Sequence, residues 1–242
     1  MKDIMDAYNH VLKTFYDLVE KKDVSRKNMS EFVRVALFCR ILCGCDSINA
    51  LIRAEVPTFT FAILRTMIEA SIDLEILSND DANIDIIAYS FAEQERKQLS
   101  YFEKDARYSD YFQEGTNIRL RLDAAKDFID KHNSIKNRTS IAEKFRMLDR
   151  VSDYYDIYGT LCRSTHNNID KLIEDYTKNS EPKIHIHRVF SNKELTKYTD
   201  LALSTFIFAF NFVYFLFGLT EEQHNTILTA YKKYTQVSAV TE

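Results

Sequence analysis

The sequence predicts an all-α protein, a single multi-helix bundle of roughly eight helices built around long central apolar ones. Two observations carry this. Only 4 Gly and 2 Pro occur in 242 residues, too few for the hairpins and tight turns of a sheet protein. Apolar residues also recur at spacings of three and four through most of the chain, the period of a helix with one buried side. A chain of this length stays below the roughly 250–300 residues at which single cores stop growing. It is therefore read as one helical domain, 1–242, with a core bundle over 30–220 and flanking helices in 1–29 and 221–242.

The first helix is expected over about 2–21, where Ile4, Tyr8, Val11, Leu12 and Phe15 make one apolar stripe. Ser30 can cap a second helix to about Ala54, so apolar that it reads as central, with little room for a wet face. Pro57 suits the first turn of a third helix reaching about Leu77, because a first-turn residue needs no N–H. A more polar helix follows over about 83–105, with Ile86, Ile87, Phe91 and Leu99 as its apolar side. Gly115 marks a break before another over about 116–132. The polar stretch 133–139 is a connection, after which Ser140 and Glu143 have capping-box spacing.

Ser152 or Asp153 opens a helix read through Tyr176, with Tyr158, Leu161, Cys162, Thr165, Ile169, Leu172 and Ile173 facing inward. The stretch 181–190 contains Pro182 and alternates Ile184, His185, Ile186, His187, which makes it the one plausible extended segment. Ser191 with Glu194, and Thr220 with Gln223, are capping boxes for the last two helices, the second fading near Thr235. Leu201 to Thr220 carries no charge and is long enough to span a bilayer. Ser204, Thr205 and Asn211 interrupt it and no Lys/Arg cluster flanks it, so a buried helix is preferred to a membrane anchor.

Net charge is −4 and the pI about 5.9, which supplies no general pull toward nucleic acid. Cys39, Cys43 and Cys45 lie in one apolar run and, with Cys162, fit reduced thiols in a cytoplasm, the first three as small buried hydrophobes. No Gly-rich phosphate loop, Walker sequence, nucleophile elbow or zinc-protease helix is present, so no cofactor is expected. His185 and His187 would share one face of an extended segment, but no third ligand accompanies them and no metal site is assigned.

Two groups carry chemistry. Arg65, Glu69 and Asp73 form one row of an otherwise apolar helix at successive steps of four, and charges there must find partners. Arg163, His166, Asn167 and Asp170 have helical spacing in the Tyr-rich helix, so the Asp170 carboxylate could orient the His166 imidazole. Arg supplies a permanent cation suited to phosphate, and acid–base chemistry on a phosphodiester is the use such a group would have. The alternative for both groups is structural, an ion pair and a hydrogen-bonded histidine between helices.

The segments Ile63-Leu-Arg-Thr-Met-Ile-Glu-Ala-Ser-Ile-Asp-Leu74 and Tyr154-Tyr-Asp-Ile-Tyr-Gly-Thr-Leu-Cys-Arg-Ser-Thr-His166-Asn-Asn resemble the paired signatures of a bacterial helical family of unknown function. There an Arg-x-x-x-Glu helix is matched by a later Tyr-rich helix ending in His; the positions here are Arg65, Glu69, Tyr158 and His166, and the likeness covers about 30–220. That layout is similar in turn to the HEPN superfamily, many of whose members are metal-independent ribonucleases of bacterial immunity and toxin systems. The resemblance implies RNA as substrate, a homodimer and a bacterial defence or toxin setting. The HEPN signature separates Arg from His by four to six residues, whereas two separate Arg163 from His166, so Arg65 would have to supply the cation. Three readings remain open: this ribonuclease, a non-catalytic helical module bound to a protein partner, and a membrane-anchored helical protein.

Overall fold

The structure, a computed structural model, describes residues 1–20, 22, 24, 27–166, 169, 173, 176, 177 and 190–240. The helices are α1 (Lys2–Val19), α2 (Met29–Arg53), α3 (Thr60–Asn79), α4 (Ile84–Glu103), α5 (Asn117–Lys131), α6 (Ile141–Met147), α7 (Val151–Asp153), α8 (Gly159–Thr165), α9 (Asn192–Phe210) and α10 (Glu221–Ala239), with short 3-10 turns between several of them. No strand occurs among the described residues, and the protein is all-α. Its backbone contacts divide it into two compact units, Met1–Ser78 with Ser152–Glu242, and Asn79–Val151.

In the first unit α1 lies along α10 and α2 along α9. Aromatic rings join α1, α2 and α9: Phe15 from α1, Phe38 from α2, Phe206 and Phe210 from α9, and Phe217 beyond it pack with ring centroids 5.4–5.9 Å apart. All five rings are buried, and edge-to-face pairs of this kind add to the area they remove from water. α3 approaches α2 at Gly44, where an added Cβ would stand 2.5 Å from Met67 Cγ. Only glycine allows so close an approach, and it fixes the helix that carries Arg65.

The second unit is built on α4 lying along α5. Its interior takes Ile86, Tyr89, Ala92 and Leu99 from α4, Leu122 and Ala125 from α5, and Phe145 from α6. Phe91, expected on the apolar side, is 63% exposed. The buried face runs through 86, 89, 92 and 99, and residue 91 projects roughly 130° away from the direction shared by 89 and 92 at about 100° per residue. Gly115 takes a left-handed φ of 81°, and Thr116 then caps α5 by accepting from Arg119 N–H.

Most helix-start signals are used as read. Ser140 accepts from Glu143 N–H, and Ser191–Glu194 and Thr220–Gln223 are complete capping boxes. At α2 the cap is Asn28, which accepts from Glu31 N–H at 2.8 Å, and Ser30 lies buried in the first turn. α2 is also wetter than expected. By length and composition it is the described helix that could cross a membrane, with mean hydropathy 1.7, yet only 39% of that window is buried. Cys45 points inward, whereas Cys39 and Cys43, four residues apart on the outer face, are exposed rather than core.

The run 201–220 is not one helix. α9 stops at Phe210, a 3-10 turn covers Tyr214–Phe217, and Gly218 turns the chain with a φ of 64°. Its Ala202, Leu203, Phe206, Phe210, Val213 and Leu216 are core residues of the first unit. The last helix runs past Thr235 to Ala239. The helix read from 152 through Tyr176 stops at His166, whose backbone is extended (φ −97°, ψ 155°). The expected inward stripe therefore loses its phase there, and Ile169 and Ile173 are 73% and 55% exposed. The stretch 181–189, with His185 and His187, lies outside the described residues, as do Asn167, Asp170 and Leu172.

Candidate active site

Two helices of the first unit bring the site together. On α3 an Arg–Glu pair at i and i+4 is geometrically adjacent, and Arg65 Nε–H donates to Glu69 Oε1 at 3.0 Å. The facing wall begins with a π-helical turn, Tyr154–Tyr158, closed by Gly159 N–H donating to Tyr154 O. A π turn inserts a residue into the helical register and recurs at functional sites. Here it ends on Tyr158, which is 4% exposed and donates its phenol to Glu69 Oε1 at 2.6 Å. The same phenol oxygen accepts from Arg65 Nε–H at 3.3 Å.

Two helical turns later the other end of the guanidinium meets the end of α8. Arg65 Nη1 lies 3.2 Å from His166 Nε2 and 3.5 Å from Thr165 Oγ1. Thr165 is itself oriented by donating to Cys162 O. His166 reaches the arginine because the helix ends there, with its N–H held by Cys162 O at 3.0 Å. The site is sheltered but open: the Arg65 and Glu69 side chains are 30% and 39% exposed, and His166 is exposed.

The electrostatics favour one charge pattern. Burial disfavours the charge on Arg65, but hydrogen bonds with Tyr158 and Glu69 outweigh it and raise its pKa above the ordinary arginine value. Burial, the hydrogen bond to Glu69 and that carboxylate's charge push the Tyr158 phenol well above its ordinary range. The phenol is thus a permanent donor, and Arg65 a permanent cation fixed at Nε by two oxygens. Nη2 has no hydrogen-bond partner among the described residues. Those free N–H groups, beside an exposed imidazole, are what an anionic oxygen would meet.

Of the residues singled out in the sequence, Arg65, Glu69, Tyr158 and His166 converge. Arg163 does not: its Nη2 donates to Thr160 Oγ1 at 2.9 Å on its own helix, and the side chain is exposed. Asp170 lies outside the described residues. Thr165 is the member that sequence reasoning missed as a ligand of Arg65, having counted it only as an inward-facing residue. Among the described residues no group of three or more His, Cys, Asp or Glu side chains is gathered for a metal.

A family model matches residues 31–184, and the chain belongs to that family, DUF5677, a family of unknown function. The matched stretch contains Arg65, Glu69, Tyr158, Thr165 and His166, while α1, α9 and α10 fall outside it. No curated protein and no solved structure matches the chain.

Proposed function

We propose that this member of DUF5677 is a HEPN-like, metal-independent RNA endonuclease with Arg65 and His166 as its reacting pair. The observation that carries the reading is the 3.2 Å approach of Arg65 Nη1 to His166 Nε2 from a different helix. The two-residue gap between Arg163 and His166 departs from the HEPN pattern, and Arg65 offers the missing guanidinium. In this reading His166 takes the proton of a ribose 2′-hydroxyl as that oxygen attacks the adjacent phosphorus, the P–O5′ bond breaks, and the 5′-oxygen leaves with a proton from water, giving a 2′,3′-cyclic phosphate and a 5′-hydroxyl end. Arg65 holds the negative charge that builds on the phosphorane oxygens. Glu69 and Tyr158 are positioning residues that fix the guanidinium, and Arg163, exposed at the surface, contacts the RNA backbone. The four cysteines, read as reduced thiols, support a cytoplasmic setting, and the HEPN resemblance supports a homodimer in a bacterial defence or toxin system.

Incubation of the purified protein with end-labelled total RNA, with and without chelator, tests this. Chelator-resistant cleavage that disappears in folded His166→Ala is the expected result. Wild-type protein that leaves RNA intact removes the reading.

A second reading, a helical module that binds a protein partner, has one observation in its favour. The buried half of the network, Tyr158 to Glu69 to Arg65 Nε, is internally satisfied, as a purely structural cross-link between helices would be. Under that reading every substitution in the cluster acts on stability alone and no turnover appears.

A further inference from the structure

Arginine has N–H donors and no acceptor, so in the contact between Arg65 Nη1 and His166 Nε2 the imidazole nitrogen must accept. His166 therefore carries its ring proton on Nδ1 while that contact is made, and the Nε2 lone pair is occupied by Arg65. A nitrogen in that state is the right tautomer for a base but is not available to a substrate. A protonated ring could not accept at all.

Arg65 is held unequally at its two ends. At Nε it is tied by a carboxylate and a phenol. At Nη1 it meets only a hydroxyl at 3.5 Å and the imidazole, both neutral acceptors. A phosphate oxygen is a stronger partner for guanidinium than either, because both members of that hydrogen bond are charged. The Nη end can change partners while the Nε end stays fixed.

We propose that Arg65 caps the Nε2 of His166 in the resting protein, and that an anionic phosphate oxygen draws the guanidinium away and uncovers the base. Arg65 thus gates the histidine as well as binding the anion, and the base is exposed only with phosphate in place. The inference rests on the ribonuclease reading for the identity of the anion, the phosphodiester of RNA, but its test needs no turnover.

The test is a long-range proton–nitrogen NMR correlation on the full chain with labelled histidine, under mildly alkaline conditions where an ordinary histidine is neutral. His166→Gln identifies the signal among the six histidines. The expected wild-type result is Nε2 as the unprotonated nitrogen and Nδ1 as the protonated one. Arg65→Met should return the ring to the Nε2–H form that a free histidine side chain prefers. Inorganic phosphate added to wild type should shift it the same way, and sodium chloride at equal ionic strength should not. A wild-type ring protonated on Nε2 overturns the cap, and a ring indifferent to saturating phosphate overturns the gate. The phosphate titration uses unaltered protein, so the inference stays testable if Arg65→Met does not fold. A phosphate-driven switch in a protein that cleaves no RNA would keep this inference and remove the nuclease; cleavage without the switch would do the reverse.

Discussion

The two units of this protein use arginine differently. In the second unit Arg119 bonds two carboxylates, Glu103 and Asp123, and Arg121 places Nε and Nη2 on one carboxylate oxygen of Glu95. In the first unit Arg65 has a carboxylate at Nε only, and its other end rests on Thr165 and His166. Arg119, matched by carboxylates at both ends, has little left to offer a ligand. An arginine matched at a single end, beside an exposed imidazole, keeps donors for an anion. That asymmetry, more than the presence of an ion pair, is what supports the proposed role of Arg65.

The strongest way to break the comparison is His166→Ala. The ring is exposed and contributes little packing, so unfolding free energy should move by no more than about 0.5 kcal/mol. RNA cleavage should fall about 10²–10⁴-fold, the usual worth of a positioned acid–base group. Cleavage assays beside urea unfolding separate the two effects. A variant that loses stability instead, with no activity in either protein, would make the cluster structural.

Glu69→Ala attacks the fixed end of Arg65. It strips the Tyr158 phenol of its acceptor and Arg65 Nε of its carboxylate, and hydrogen bonds to a charged group are worth about 1.5–3 kcal/mol each. Because the Glu69 side chain is 39% exposed, water replaces part of the loss, and a total of about 1–2 kcal/mol in urea unfolding is expected. A loss no larger than that of a surface pair would show that the network carries no strain when opened.

How much of this site could be read from the chain depends on which residues are local to one another. Arg65 and Glu69 are four apart on one helix, so their pairing follows from period alone. His166 was singled out by its spacing to Arg163 and Asp170, but its link to Arg65, like that of Tyr158, came from a likeness of motifs, since no spacing rule reports contacts between residues so far apart in the chain. Asp170 was placed with His166 on the assumption of a helix continuing past 166. The helix ends there, and Asn167-Asn168 in the sequence is the kind of stop signal that would have warned of it. Thr165 was missed because its role depends on where α3 lies. In the rest of the fold, capping residues and apolar stripes were legible, whereas α2 was judged by hydropathy. Hydropathy does not say which face a neighbour covers, hence the exposed Cys39 and Cys43.

Tyr158→Phe sharpens the comparison by removing one hydroxyl. About 1 kcal/mol should be lost at neutral pH, the net value of a typical hydrogen bond. The phenol's pKa is raised in the folded protein, so the unfolded chain ionises first and stability is lost as pH climbs above the ordinary value of 10.0. Tyr8, Tyr16 and Tyr234 are raised too, each chiefly by burial, and wild type should weaken steadily in alkali. The Phe variant should weaken less steeply, by one residue's share. Urea midpoints at neutral pH and above 10.0 for both proteins measure that difference, and parallel curves would place the Tyr158 phenol in contact with water.

The smallest effect belongs to the second unit. Arg121 is 60% exposed at its side chain, so Arg121→Ala should cost about 0.2–1 kcal/mol, the range of exposed pairs. Its salt response is the sharper readout. At about 1 M salt the screening length shrinks to roughly 3 Å, and the cost of Arg121→Ala should then largely vanish. The cost of Glu69→Ala should persist, because the oxygen it removes serves a phenol buried to within 4% of complete enclosure, and that hydrogen bond is short-ranged and unscreened. Equal salt sensitivity in the two variants would mean that Arg65 and Arg121 sit in the same electrostatic environment, and the distinction between a structural and a functional arginine would have to rest on chemistry at His166 alone.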